Sequence, residues 1–307
     1  MPDIPGPDGR WDFASWDAAH DRVLVAHGKD VLLVDPVSHN VRSIGEIEGA
    51  HAALAIPGGD RVLVSSGHDN TVRLIDSVSG TQIASIPVAG DPDATVLSPD
   101  GHTAYVMGAD SGAISVVDLD RLTETARIAA KPGLEVPVLF GNNMLAVNDE
   151  GLGEIEIVDL SAGKMTGTIA MPGCKEPTGL AYAPQFGLAL SACGNGKAAL
   201  VDLRSRKVVR LLPIGLGPDT AIWDDARRRF LVPCGKSGSL AVITLGHRGA
   251  SVVSTVQTQA SARTAAFDPA SGRLYLPAAR FQPAQSGKRP EMIAGSFHLV
   301  VLSPRSN

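Results

Sequence analysis

Aromatic side chains are scarce in this chain of 307 residues, at 4%, and charged ones make up only 19%. Val, Leu, Ile and Ala are spread evenly and no low-complexity tract occurs, which excludes intrinsic disorder. Long hydrophobic runs are missing too. The longest stretch without a charge, Pro177 to Gly196, is broken by Pro184, Gln185 and Gly187, which excludes a membrane-spanning helix. Three cysteines, Cys174, Cys193 and Cys234, are too few for a disulfide framework. No block of basic charge exists: 27 Lys and Arg are scattered among 32 Asp and Glu, and the net charge of -5 argues against a nucleic-acid surface. The opening MPDIPGPDGR holds three prolines and no apolar segment, so no signal peptide is expected in the chain as it stands. There is no GxSxG, no P-loop, no GxGxxG in a strand-to-helix setting and no CxxCH, which sets those classes aside. What is plentiful is turn residues. The 33 Gly and 21 Pro are about 18% of the chain against roughly 12% ordinarily.

Those turns are spaced by a repeat. VLLVD ending at Asp35, VRLID at Asp76, ISVVD at Asp118, IEIVD at Asp159, AALVD at Asp202, LAVIT at Thr244 and LVVLS with Leu302 in the same place form one column, at spacings of 41, 42, 41, 43, 42 and 58 residues. Each unit contains a small apolar strand (HAALAI, DATVLS, TGLAYA), a turn, a second strand (RVLVS, GLALS, RFLVP), the alternating strand of the column, and a fourth strand. Seven such units, each too small to bury a core alone, predict an all-β, seven-bladed β-propeller of four-stranded antiparallel blades. The expectation is a single domain over 1–307, with an insertion in blade 7 at about 280–295. The last unit stops at its third strand, so the segment around Asp3 to Pro7 is expected to supply the outer strand and close the ring.

GPDGRWDFASWD, LLVDPVSHNVRSIGEI, CKEPTGLAYAP, GPDTAIWDDARRRFLV, RTAAFDPASGRLYLPAARF and IAGSFHLVVLSP resemble the bacterial YVTN-repeat, YncE-like β-propeller proteins over essentially the whole chain. The tetrapeptide that names the group survives only as YVMG, Tyr105 to Gly108. The resemblance implies the propeller and says little about chemistry, because lactonase, dehydrogenase and haem-binding propellers share the architecture. It also implies a periplasmic or exported protein if the start of the chain has been trimmed.

In a propeller the innermost strands line the central channel. Five residues before Asp17, Ile56, Ser98, Phe140, Ala183, Asp224 and Asp268 stand Asp12, His51, Asp93, Glu135, Thr178, Asp219 and Arg263. Six of these seven are ionisable, so the column is expected to ring the channel mouth. The turns between second and third strands are expected to add His27, Asp149, Cys193, Cys234 and Arg280, with Cys174, Lys175 and Glu176 nearby. The third-strand aspartates recur blade after blade and are read as scaffold; His51, Glu135 and Arg263 depart from the commoner Asp and are read as site.

Several chemistries fit such a ring. The first is a small polar or anionic ligand bound by His51, Asp93, Glu135, Asp219 and Arg263, with Asp12, His27, Glu176, Thr178 and Arg280 around it. A second is hydrolase (lactonase-type) or lyase catalysis by His51, Asp93, Glu135, Asp219 and Arg263, with an arginine holding an anionic substrate. A divalent metal is a candidate cofactor, held by His27, His51, Asp12 and Asp93, or by the acids alone. A third reading is a protein-interaction scaffold working through the blade edges. Cys234 as a nucleophile would need His27 or His51 in contact with it. Cys174 and Cys193 are either a disulfide within blade 5 or two buried thiols. The insertion Phe281 to Gly295, with Lys288, Arg289 and Glu291, is read as a lid over the mouth. A monomer is expected.

Overall fold

The computed structural model describes residues 3–246, 249–283 and 289–304. Among them all regular structure is β, in seven four-stranded antiparallel sheets. Blade 4 shows the plan: Leu134–Phe140, Met144–Asp149, Glu154–Asp159 and Lys164–Ala170 pair in chain order from the channel outward. The first strands of the other blades are Ala14–Asp17, Ala50–Ala55, Pro92–Leu97, Pro177–Ala183, Ile222–Asp224 and Ala266–Asp268. The protein is a seven-bladed β-propeller.

The middle strands of each blade are buried on both faces, because each sheet is covered by the sheet before it and the sheet after it. Hence Arg22–Ala26 and Val31–Val34 read as unbroken apolar runs, while the outer strand Lys207–Pro213 alternates with water-facing residues. Seven apolar clusters fill the seven gaps between blades. Leu24, Val31 and Ile44 of blade 1 meet Ala53, Val62 and Ile75 of blade 2, and at the seam Val23, Val25 and Leu32 meet Tyr275, Phe297 and Leu299 of blade 7. Each such Leu, Ile or Val contributes about 1.5–3 kcal/mol by leaving water. Alanines and β-branched residues suffice, which is why so few aromatics are needed.

The repeated aspartates hold turns. Asp35 Oδ1 accepts the N–H groups of Val37 and Ser38 at 2.7 and 3.0 Å, and Asp202 does the same for Arg204 and Ser205 at 2.9 Å each. Ring closure is by the chain's start: Ile4 pairs with Leu299 and Pro5 with His298, giving blade 7 its outer strand. Asp8 secures the junction by accepting N–H bonds from Gly295 and Phe297 at 2.5 and 3.2 Å.

Candidate functional site at the channel mouth

The first strands are irregular where the ionisable column lies. In blades 2 to 5 the register between first and second strands shifts between Ala50 and Ala53, Pro92 and Thr95, Leu134 and Pro137, and Pro177 and Leu180. These bulges contain His51, Asp93, Glu135 and Thr178. In blade 6 Pro218 bridges Cys234 and regular pairing resumes only at Ile222, leaving Asp219 in the same kind of break. A bulge turns its side chains out of the pleat, so the column leaves the blade and faces the channel. The inner strands of blades 6 and 7 are therefore three residues long, shorter than DTAIWD and RTAAFD suggest. Peptide groups freed from the ladder bond to neighbouring blades instead: Phe13 N to His51 O at 3.0 Å and Asp219 N to Arg263 O at 3.2 Å.

The side chains form an arc of alternating charge. Arg263 lies 2.5 Å from Asp219 and 3.3 Å from Asp12, and His51 Nδ1 lies 2.8 Å from Asp12 and 3.6 Å from Asp93. Asp219, Arg263, Asp12, His51 and Asp93 thus run across blades 6, 7, 1, 2 and 3. Glu135 of blade 4 comes next and, among the described residues, has no salt bridge. Gly67 lets the arc close up: a Cβ there would come within 2.7 Å of His51 Nε2 and 2.9 Å of Asp91 Oδ1.

Four carboxyl groups against two cations leave the acids short of positive charge. Burial and the Asp93 charge push Glu135 up to about 9. Burial and Asp12 push Asp93 up to about 7, against the pull of His51. Asp219 rises to about 6 through burial despite Arg263, and the Asp12 hydrogen bond takes His51 up to about 8. Asp93 Oδ1 is buried with no hydrogen-bond partner. The groups remain reachable from the channel, with His51 30% and Asp219 29% exposed.

Other expected members stand differently. Thr178 is buried and its hydroxyl donates to Pro218 O at 2.7 Å, a strut between blades 5 and 6. His27, Asp149, Cys193 and Cys234 do not project into the mouth. Asp149, Cys193 and Cys234 end second strands and His27 directly follows one, where side chains are sandwiched between blades, and all four are buried. His27 Nδ1 faces Asp30 at 3.0 Å and its ring lies 5.2 Å from Phe297. Of the four metal candidates only Asp12, His51 and Asp93 bring ligand atoms within 4.8 Å of one another; His27 is not in that group. Burial pushes the Cys234 thiol up to about 11, which opposes a nucleophilic role. Arg263 is paired with Asp12 and Asp219, and its side chain is 44% exposed. Arg280 and Glu176 are exposed.

Cys174 and Cys193 are joined, with Sγ–Sγ 2.02 Å and Cα–Cα 5.3 Å. The base of the blade 7 insertion is a short bridge, Phe281 to Met292, with Phe281 against Trp11 at 6.1 Å, next to Asp12. Lys288 lies outside the described residues. Two acids near the arc had no separate signal in the column: Asp91, in the DPD run with Asp93, adds to the charge felt by His51 and Asp93, and Glu150 adds to that felt by Glu135 and Asp219.

No protein-family model matches the chain, and no curated protein matches it. Among solved structures it is similar to the hydrazine synthase of Kuenenia stuttgartiensis, with a TM-score of 0.77 at 16% identity over 90% of this chain and 93% of that one. At that identity the likeness concerns the fold: both are propellers.

Proposed function

We propose that this propeller, of the YncE-like kind its repeats resemble, binds a small polar ligand at the channel mouth through hydrogen-bond donors or an ammonium group received by Asp93 and Glu135. The observation that carries the reading is the surplus of acceptors: Asp93 Oδ1 is buried without a hydrogen bond, its cation His51 standing off at 3.6 Å, and among the described residues Glu135 has no salt bridge. A buried acceptor without a partner costs about 1–3 kcal/mol, which a donor on a ligand would recover. Arg263 is already neutralised by Asp12 and Asp219, so an anion is less well served than the sequence alone suggests. Thermal-shift screening of small amines, polyols and dicarboxylates tests this. Stabilisation by an amine or polyol that is lost in Asp93→Asn and kept in Glu176→Gln is the expected result. Stabilisation by dicarboxylates alone, or none that depends on Asp93, refutes it; a scaffold working through its outer edges gives the latter.

A second reading, acid/base catalysis at the same place, is favoured by one feature. Burial pushes Asp219, Asp93 and Glu135 up to about 6, 7 and 9, so neutral pH finds both ionised and protonated carboxyl groups in the same column. In its metal-assisted form Asp12, His51 and Asp93 hold a divalent ion. Elemental analysis of the purified protein separates the two forms: a stoichiometric metal lost in His51→Ala supports the metal-assisted one.

A further inference from the structure

The same three pleat positions, the end of the second strand and two places on the third, are occupied by Ser66, Thr71 and Arg73 in blade 2 and by Cys234, Ser239 and Ala241 in blade 6. In blade 4 they are Asp149, Glu154 and Glu156. Carboxylates at these positions are thus no part of the repeat's scaffold. Each of the three offers an oxygen within 4.8 Å of those of the other two. Asp149 and Glu156 are completely buried.

Their hydrogen bonds use only one oxygen each. Asp149 Oδ1 accepts the Leu152 N–H at 2.8 Å, and Glu156 Oε1 accepts the Lys131 N–H at 3.2 Å. Asp149 Oδ2 and Glu156 Oε2 are buried with no partner at all. The Lys131 ammonium is held by Glu154. Fully ionised, three carboxylates and one ammonium would leave two negative charges where the connection from blade 3 enters blade 4; burial accordingly raises Asp149 and pushes Glu156 up to about 7. Leaving such charges unpaired away from water is costly.

We propose that Asp149, Glu154 and Glu156 form a site for one hard divalent cation of the Ca2+ class, separate from the channel-mouth arc. An all-oxygen donor set selects a hard ion over a thiophilic one. Oxygens around Ca2+ at about 2.3–2.6 Å stand no more than about 5 Å apart, the spread this cluster already has. Glu154, 14% exposed, provides the way in from solvent. By tying the second and third strands of blade 4 together the ion would stiffen that blade.

The test is calorimetric titration of chelator-treated, full-length protein with CaCl2, repeated on Glu156→Gln and on Asp93→Asn. One Ca2+ per chain is expected, bound at least about ten-fold more weakly by Glu156→Gln and equally well by Asp93→Asn. If Glu156→Gln does not fold, Glu154→Gln, at the partly exposed corner, takes its place with the same expectation. No heat and no rise in Tm with about 10 mM Ca2+, Mg2+ or Mn2+, well above the weakest known Ca2+ sites, overturns the proposal. So does Ca2+ binding that survives both cluster variants or vanishes in Asp93→Asn.

Discussion

Replacing Glu135 by Gln should stabilise the protein at alkaline pH and leave it unchanged in acid. Glu135 rises from the ordinary glutamate value of 4.5 to about 9 because burial and the neighbouring carboxylates disfavour its charge. An acid raised in the folded state holds its proton where the unfolded chain has lost it, so stability falls as pH climbs from 4.5 towards 9. At pH 7 the interval is 2.5 units above 4.5, nominally about 3.5 kcal/mol. Screening by water at the open mouth reduces this to about 1–2 kcal/mol. Gln is neutral in both states and escapes the cost. At about 2 °C per kcal/mol for a chain of this size, the Tm of Glu135→Gln should exceed that of the wild type by about 2–4 °C at pH 7 and by more at pH 8, with no difference at pH 4. Differential scanning calorimetry across that range measures it. A difference independent of pH, or a variant less stable at pH 8, refutes the claim that Glu135 sits buried among like charges.

The arc makes a second prediction in the same pH direction, through loss of a favourable contribution rather than growth of a cost. His51 is raised from 6.5 to about 8, so its contribution to stability is full below 6.5 and is lost as pH rises through about 8; in Asp12→Asn its NMR titration should fall back by a unit or more. Gly67→Ala should displace His51, weaken ligand binding and alter the His51 titration while leaving the far-ultraviolet circular dichroism as it is. Replacing both Cys174 and Cys193 by Ser removes a bridge between residues 19 apart and should cost about 3 kcal/mol, seen as a Tm lower by several degrees. Ile4→Ala, emptying a site 1% exposed in the closing strand, should cost about 2–4 kcal/mol in a urea melt.

Blade number, strand order and the closing strand were readable in the sequence because a spacing of about 42 residues and the Asp35, Asp76, Asp118, Asp159 and Asp202 column are periodic, and periodicity survives without coordinates. The ring column was readable for the same reason: Asp12, His51, Asp93, Glu135, Asp219 and Arg263 occupy one position of the repeat, where His51, Glu135 and Arg263 depart from the commoner Asp. Pairing was not. That Arg263 is held by Asp12 and Asp219 depends on all three lying ahead of the paired first strands of blades 7, 1 and 6, and on blade 7 lying against blade 1 across the closure. The burial of His27, Asp149 and Cys234 depends on the neighbouring sheet, which no spacing rule reports. Likewise Glu154 and Glu156 look like the solvent side of an alternating strand until blade 3 is seen to cover them.

The central claim, a donor-bearing ligand received by Asp93 and Glu135, is tested most directly by the protons that binding moves. A ligand ammonium beside Glu135 favours its ionised form, so an amine found by screening should release close to one proton at pH 7.5. Titration calorimetry in buffers of differing ionisation enthalpy measures that number. The account predicts release that disappears in Glu135→Gln; binding with proton uptake, or with release unchanged in that variant, contradicts it.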